Sequence, residues 1–298
     1  MVTVGSAPFS YEVVEGWGRL PEGWRLGQTA AVATDSHDRV FVFHRPPGAE
    51  PPVLIFDREG RLVGSWGTDF LEDAHGMAIG PDVTEGGVER IWLVDRKPHV
   101  VYKATLDGKP LRALGTHGAA GNQTPFNRPT DVSVAPDGDV YVSDGYGNAR
   151  VHCFGADGTL LRSWGVPGDG PGQFKLVHSV WYDRRGGSDG APRVLVADRE
   201  NHRIQRFSPE GEYLGEWGGF RQPTDIFVDR DGFIYVPELQ HRMSILDPDG
   251  RVVARWGGEP RREPGWFIAP HGACVDPRGD LYVCEVLQGQ RIQKFVRR

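Results

Sequence analysis

The sequence predicts an all-β chain, a single domain over residues 1–298 built as a propeller of six four-stranded blades. Three observations predict it. A strand-like segment ending in a polar residue recurs six times: FVFHR, IWLVDR, VYVSDG, VLVADR, IYVPEL and LYVCEV. The polar residues are His44, Asp95, Asp144, Asp198, Glu238 and Glu285, spaced by 51, 49, 54, 40 and 47 residues. Each copy is punctuated by Asp-Gly and similar turns, which is hairpin chemistry. Finally, the last copy stops at RIQKFVRR without a fourth strand, while YEVVEGWG near the start is a strand without a copy of its own.

Taken in order, each unit opens with a short β-rich segment and a turn such as APDGD or DRDGF, followed by the recurring strand. A third strand and its turn come next, as in VLIFDREG, VVYKATLDG, RVHCFGADG, RIQRFSPEG and RMSILDPDG. The fourth strand closes on GSWG, RALG, RSWG, GEWG or ARWG. The N-terminal strand, Tyr11 to Trp17, is expected to pair with the strand holding Ile292 to Phe295. That pairing completes the sixth blade, closes the ring and covers two sheet edges that would otherwise template aggregation. No segment is left over for a seventh blade.

Composition bounds the function. The 41 Gly and 23 Pro fit a turn-rich protein, and 39% hydrophobic residues with nine Trp can fill a core. A net charge of −6 argues against a general nucleic-acid or membrane surface, which needs a basic field. No apolar run is long enough for a membrane-spanning helix. The opening MVTVGSAPFSYEVV shows no signal-peptide pattern, and three cysteines (Cys153, Cys274, Cys284) do not suit a disulfide framework, so a cytoplasmic protein is expected. Cys274 and Cys284 read as small buried hydrophobes.

The most informative residues are three histidines at one register of alternate copies: His75 in AHGMAIGPD, His178 in VHSVWYDRRG and His271 in PHGACVDPRG. The copies between carry threonine there, Thr130 and Thr224. With ten histidines in the chain, filling three of six equivalent slots by chance has odds on the order of one in a thousand. The slots begin the innermost strands of blades two, four and six, so the side chains are expected to converge on the propeller axis. Three imidazoles with an open fourth position suit a catalytic zinc, although iron, cobalt and copper also accept imidazole. Asp131 and Asp225, each next to a threonine slot, are expected to hydrogen-bond the imidazoles. The acids Asp95, Asp144, Asp198, Glu238 and Glu285 recur in every later blade. They are expected to pair structurally with Arg150, Arg203, Arg242 and Arg291 on the next strand. His202 and His241 belong to a repeated turn and read as surface residues.

The string VLVADRENHRIQRFSPEGEYLGEWG resembles NHL repeats. With the histidine slots, the chain resembles the peptidyl-α-hydroxyglycine α-amidating lyase family over nearly its whole length. The resemblance implies a six-bladed propeller whose three histidines, matched by His75, His178 and His271, hold one zinc. It also implies cleavage of a peptidyl α-hydroxyglycine into a peptide amide and glyoxylate. The family's catalytic tyrosine falls on Tyr146 in VSDGYGNAR, and its catalytic arginine on Arg45 in VFVFHR. Two departures matter. Ala269-Pro270-His271-Gly272 stands where the family has Met-Pro-His-Asp, so the carboxylate that serves its structural calcium is missing. Gly147 stands where the family has a cysteine.

The resulting expectation is a metal-dependent lyase, with a hydrolase as a related reaction, acting on a small anionic molecule such as an N-acyl α-hydroxyglycine. Tyr146 would move the proton and Arg45 would hold the carboxylate. Propeller lactonases use carboxylate-rich calcium sites, which a three-histidine set fits poorly. The alternative from another class is a non-catalytic NHL propeller that binds a protein or other ligand. Metal content separates the two.

Overall fold

The computed structural model describes residues 2–122 and 125–298. Its sheets are those of an all-β, six-bladed propeller of the NHL type, each blade antiparallel and the first five with their strands in sequence order. The first blade comprises Gln28–Thr34, Val40–Arg45, Val53–Phe56 and Leu62–Trp66. Ala74–Asp82, Val88–Asp95, Val100–Ala104 and Pro110–Leu114 form the second. The third comprises Asp131–Val134, Val140–Asp144, Arg150–Phe154 and Leu160–Trp164. In the fourth are Val177–Asp183, Arg193–Asp198, Arg203–Phe207 and Tyr213–Trp217. The fifth comprises Phe227–Val228, Ile234–Glu238, Arg242–Leu246 and Val252–Gly257. The strands fall into two compact units, Met1–Ala74 with Phe227–Arg298, and His75–Ile226.

The sixth blade takes Pro270–Val275, Leu281–Glu285 and Arg291–Arg297 from the C-terminal end, and Phe9–Val14 supplies its fourth strand. The pairing is with the expected strand, Tyr11 opposite Arg297, Val13 opposite Phe295 and Val14 opposite Lys294, but it stops short of Trp17. The strand ends at Val14 because Gly16 and Gly18, at φ +69° and +84°, turn the chain away. Trp17 is thereby released from the strand. It packs on Phe56 and Tyr282 with ring centroids 5.4 and 5.1 Å away, and its indole N–H donates to Arg58 O at 2.9 Å. A further strand, Thr3–Ser6, pairs outside Phe9–Val14 and makes this blade five-stranded.

In the first, third, fourth and sixth blades the polar residue ending the second strand ties the blade to the loop before it. Asp198 accepts from the Arg203 guanidinium at 2.9 Å and from Lys175 N–H at 3.0 Å. Glu285 pairs with Arg291 and accepts from Ile268 N–H at 2.6 Å. Asp144 differs from the expected arginine pairing. It accepts from Asn127 N–H at 3.0 Å and Asn148 at 2.6 Å, and lies 3.3 Å from His152 Nε2. In the first blade His44 takes the acid's part, its Nδ1 accepting from Gly27 N–H at 3.1 Å. Burial holds its pKa below the usual histidine value, which keeps the ring neutral and able to accept.

His202 is exposed, as expected, and His241 is half-buried. Each sits in the left-handed region, at φ +57° and +66°, just before the third strand of its blade. His202 Nδ1 accepts from Gln222 N–H at 3.2 Å, and His241 Nδ1 donates to Ile268 O. Each thus latches its turn to a following loop. The three cysteines are free and buried.

Phe9, Tyr11 and Val13 are at most 7% exposed and share a core cluster with Tyr235, Phe267 and Phe295. Burying each such side chain contributes roughly 1.5–3 kcal/mol. Deleting the first fourteen residues should therefore lower the melting temperature by more than about 10 °C or cause aggregation. A monomeric truncation with an unchanged melting curve would show that the sixth blade stands without its N-terminal strands.

Candidate functional site

In the unit His75–Ile226, two histidine slots and a tyrosine meet. His75 and His178 stand at the starts of Ala74–Asp82 and Val177–Asp183, each 1% exposed. His75 Nδ1 lies 2.6 Å from Thr130 O, and His178 Nδ1 lies 2.6 Å from Thr224 O. A carbonyl can only accept, so each Nδ1 carries the ring proton and each Nε2 presents its lone pair. Both Nε2 atoms face the same oxygen, Tyr146 Oη, at 3.2 and 3.3 Å. The imidazole centroids are 4.9 Å apart.

The local sequence explains how Tyr146 arrives there. A side chain at Gly145 would place its Cβ 1.8 Å from Val177 O, and one at Gly147 would place it 2.1 Å from Asn127 Cγ. Glycine on both sides lets the loop press against the fourth blade beside His178. At position 147 a Cβ would displace the Asn127 side chain.

The threonine slots are part of the histidine sites rather than vacancies between them. Thr130 is pinned by its hydroxyl, which lies 2.7 Å from Ser143 Oγ and 2.9 Å from Val177 O, and its carbonyl then orients His75. The residue after each histidine must be small for the neighbouring strand to come this close. A Cβ at Gly76 would lie 2.4 Å from Asp131 Oδ1 and 2.7 Å from Thr130 O.

Asp131 and Asp225 do not serve the imidazoles as expected. The slot carbonyls take the Nδ1 protons, and the side chain one residue on points to the other face of the strand. The two carboxylates meet instead on Ser179 Oγ, at 2.6 and 3.1 Å, with Val180 and Ile226 N–H groups also donating to them. Burial, together with the charge of Asp225, holds the Asp131 carboxyl well above the usual carboxylate range. One serine hydrogen cannot satisfy two facing carboxylates, so a retained proton fits the geometry.

Two arginines missed in the sequence flank Tyr146. The Arg96 guanidinium lies 5.0 Å from its ring centroid and that of Arg199 5.7 Å, with Arg199 Nη1 3.4 Å from Oη. Arg199 also pairs with Glu200 at 2.8 Å. The signal was present in the repeat: Arg96 and Arg199 immediately follow the terminal acids of IWLVDR and VLVADR, the place Arg45 holds in VFVFHR.

The other unit contains His271 and Arg45. His271 repeats the same device, its Nδ1 2.7 Å from Ala30 O, and a Cβ at Gly272 would lie 2.8 Å from that oxygen. Arg45 donates to Ala74 O at 2.9 Å and to Gln28 Oε1 at 3.1 Å, and lies 3.6 Å from the buried Asp73 carboxylate.

These features define the class, an NHL-repeat β-propeller, and the NHL repeat family model matches residues 126–154. The chain is 31% identical over 243 residues to human NHL repeat-containing protein 3, covering 77% of this chain and 67% of that protein. It belongs to the family of NHL repeat-containing protein 3. It is also 32% identical over 214 residues to mouse peptidyl-glycine alpha-amidating monooxygenase, covering 62% of this chain but 21% of that protein. Peptidyl-alpha-hydroxyglycine alpha-amidating lyase 1 of Drosophila melanogaster is 28% identical over 222 residues, covering 65% of this chain and 40% of that protein. Among solved structures, a streptogramin B lyase superposes with a TM-score of 0.63 at 13% identity, covering 96% of this chain and 87% of that one. This last likeness bears on the fold alone.

The Asp131 proton gives a signed prediction. Its folded-state pKa is raised, so the native state binds more protons than the unfolded chain once pH exceeds the ordinary carboxylate range. Stability should therefore decline as pH rises through that window. Each tenfold difference in proton affinity between the folded and unfolded carboxyl is worth about 1.4 kcal/mol. Urea unfolding between about pH 5 and pH 8 should show this decline in the parent and a flatter profile in Asp131→Asn. Identical slopes would place the proton elsewhere.

Proposed function

We propose that this protein is a metal-dependent lyase, with zinc the first candidate, cleaving a small carbinolamide such as an N-acyl or peptidyl α-hydroxyglycine. The observation that carries the reading is the pair of Nε2 lone pairs aimed at one phenolic oxygen, each ring fixed by its Nδ1–H. His75 and His178 would be two ligands. By its register and its own Nδ1–carbonyl bond, His271 would be the third. This donor set suits zinc or another divalent transition metal. A structural calcium of the family type is not part of the proposal: Gly272 supplies no carboxylate, and its backbone closes directly on Ala30 and Ala31.

A bound ion would supply Lewis-acid polarisation of the substrate oxygen. The chain's own residues would handle the proton. Tyr146 Oη, in its phenolate form, takes the proton of the substrate hydroxyl. The electrons of that O–H bond form the carbonyl of the aldehyde product as the C–N bond breaks. Tyr146 then returns the proton to the departing amide nitrogen, so no water is consumed. Arg199 Nη1, 3.4 Å away, can donate to the phenolic oxygen while its proton is absent. Arg45 would hold the substrate carboxylate, exchanging part of its present pairing with Asp73. The relatives named as amidating lyases support this choice of reaction.

The purified protein should contain about one equivalent of metal per chain, and His178→Ala should lose it together with turnover. A metal-free, folded parent would favour the binding-module reading instead. Tyr146→Phe should keep fold and metal while glyoxylate release from an N-acyl α-hydroxyglycine falls roughly 10²–10⁴-fold. Full activity in that variant would remove Tyr146 from the mechanism.

A further inference from the structure

In the unit formed by Met1–Ala74 and Phe227–Arg298, the first blade holds its entry loop by a different chemistry from the other clasps. Asp144, Asp198 and Glu285 are carboxylates, accepting from Asn127, Lys175 and Ile268 N–H. The first blade uses the buried imidazole of His44 instead. Its Nδ1 accepts from Gly27 N–H at 3.1 Å, so Nε2 carries the ring proton and donates to Pro51 O at 3.0 Å. The bond from Gly27 exists only while the ring is neutral, because a second proton would go to Nδ1 and set two donors face to face. The backbones here are tightly apposed: a Cβ at Gly27 would lie 1.7 Å from Arg45 O. The next residue, Gln28, accepts from Arg45 Nη1 at 3.1 Å.

We propose that His44 is an acid-operated latch, which on gaining a proton at Nδ1 releases Gly27, frees the loop before Gln28–Thr34 and loosens the support of Arg45. The carboxylate clasps do not respond in this way, because they keep their charge in the range where an imidazole titrates. A protonated ring also has a partner to turn to. Glu50, on the loop after the strand, already acts on the ring through its charge, and its Oε2 is enclosed without a hydrogen-bond partner. Glu50 Oε1 accepts from Arg25 N–H at 3.2 Å, so a shift of this carboxylate toward His44 would pull on the same entry loop. The remaining charged groups on the flanking segments are Glu22 and Arg25 before the blade, and Arg45 beside the ring with its partner Asp73. Burial sets the working range. It holds the His44 pKa below the usual histidine value, against the Pro51 carbonyl and Glu50, which raise it. The latch is therefore shut at neutral pH. The unfolded ring takes its proton first, so native stability falls as pH drops below about 6.5.

The latch can be tested without a substrate. Hydrogen exchange read by mass spectrometry, corrected for the intrinsic effect of pH, compares residues 21–28 of the full chain at about pH 7.5 and about pH 5. In the parent, protection of this segment should fall roughly tenfold or more on acidification. The loop that Asp198 clasps at Lys175 should keep its protection, which separates the latch from a general loosening in acid. His44→Gln is the decisive variant, because its amide can accept from Gly27 and donate to Pro51 but takes no proton. There the segment should stay protected at both pH values. Equal protection at both pH values in the parent overturns the proposal, as does a loss in His44→Gln as large as the parent's. Ring NMR of the parent gives a check that needs no variant. A His44 pKa below about 6.5, with the Gly27 amide released over the same range, upholds the latch, and a ring that titrates at or above that value removes it.

Discussion

The hydrogen bond from each slot histidine's Nδ1 to the backbone carbonyl of a neighbouring slot is the constraint on which the candidate site depends. His75 uses Thr130, His178 uses Thr224 and His271 uses Ala30. The bond sets the tautomer, turns each ring so that Nε2 carries the lone pair, and does so with backbone, whose place is secured by the sheet ladders. For His75 that carbonyl belongs to a threonine anchored by its own hydroxyl.

Close approach has consequences in the same strands. Gly76 and Gly272 are where a Cβ would run into the neighbouring slot, and Gly145 and Gly147 are where the tyrosine loop would be pushed away. At Gly272 the atoms in the way are Ala30 O and Ala31 Cα, at 2.8 and 2.9 Å from where a Cβ would stand. In the unit His75–Ile226 the same crowding brings Asp131 and Asp225 onto one serine hydroxyl, where burial favours a neutral carboxyl. A buried acid pair stabilises little in itself. Here it sits one residue beyond the carbonyls that orient His75 and His178.

The cationic side of the site is written in the repeat. Arg45, Arg96 and Arg199 occupy one register, immediately after the polar residue that ends the second strand. Arg96 and Arg199 reach the Tyr146 ring, and Arg45 is engaged by Asp73 and Gln28. Two fates for one register show how a repeat separates scaffold from chemistry. The residue clasping the loop changes only between acid and His44, whereas the position after it varies with what each blade must face.

The sequence by itself determined the six blades, the N-terminal strand in the sixth blade and the shared register of the histidines. All three rest on periodicity, and a repeating pattern of strands and turns has few ways to bury its apolar faces. It also placed Tyr146 between glycines, although only through a family motif. Tertiary structure decided the rest. The point at which the strand Phe9–Val14 ends depended on where Gly16 and Gly18 turn the chain and where Trp17 finds its pocket. The partners of the imidazoles, carbonyls rather than Asp131 and Asp225, depended on backbone atoms that every residue carries and no sequence pattern distinguishes. Arg96 and Arg199 were visible as letters, but their meeting on one ring came from strands far apart in the chain, and only the packing of neighbouring blades brings such residues together.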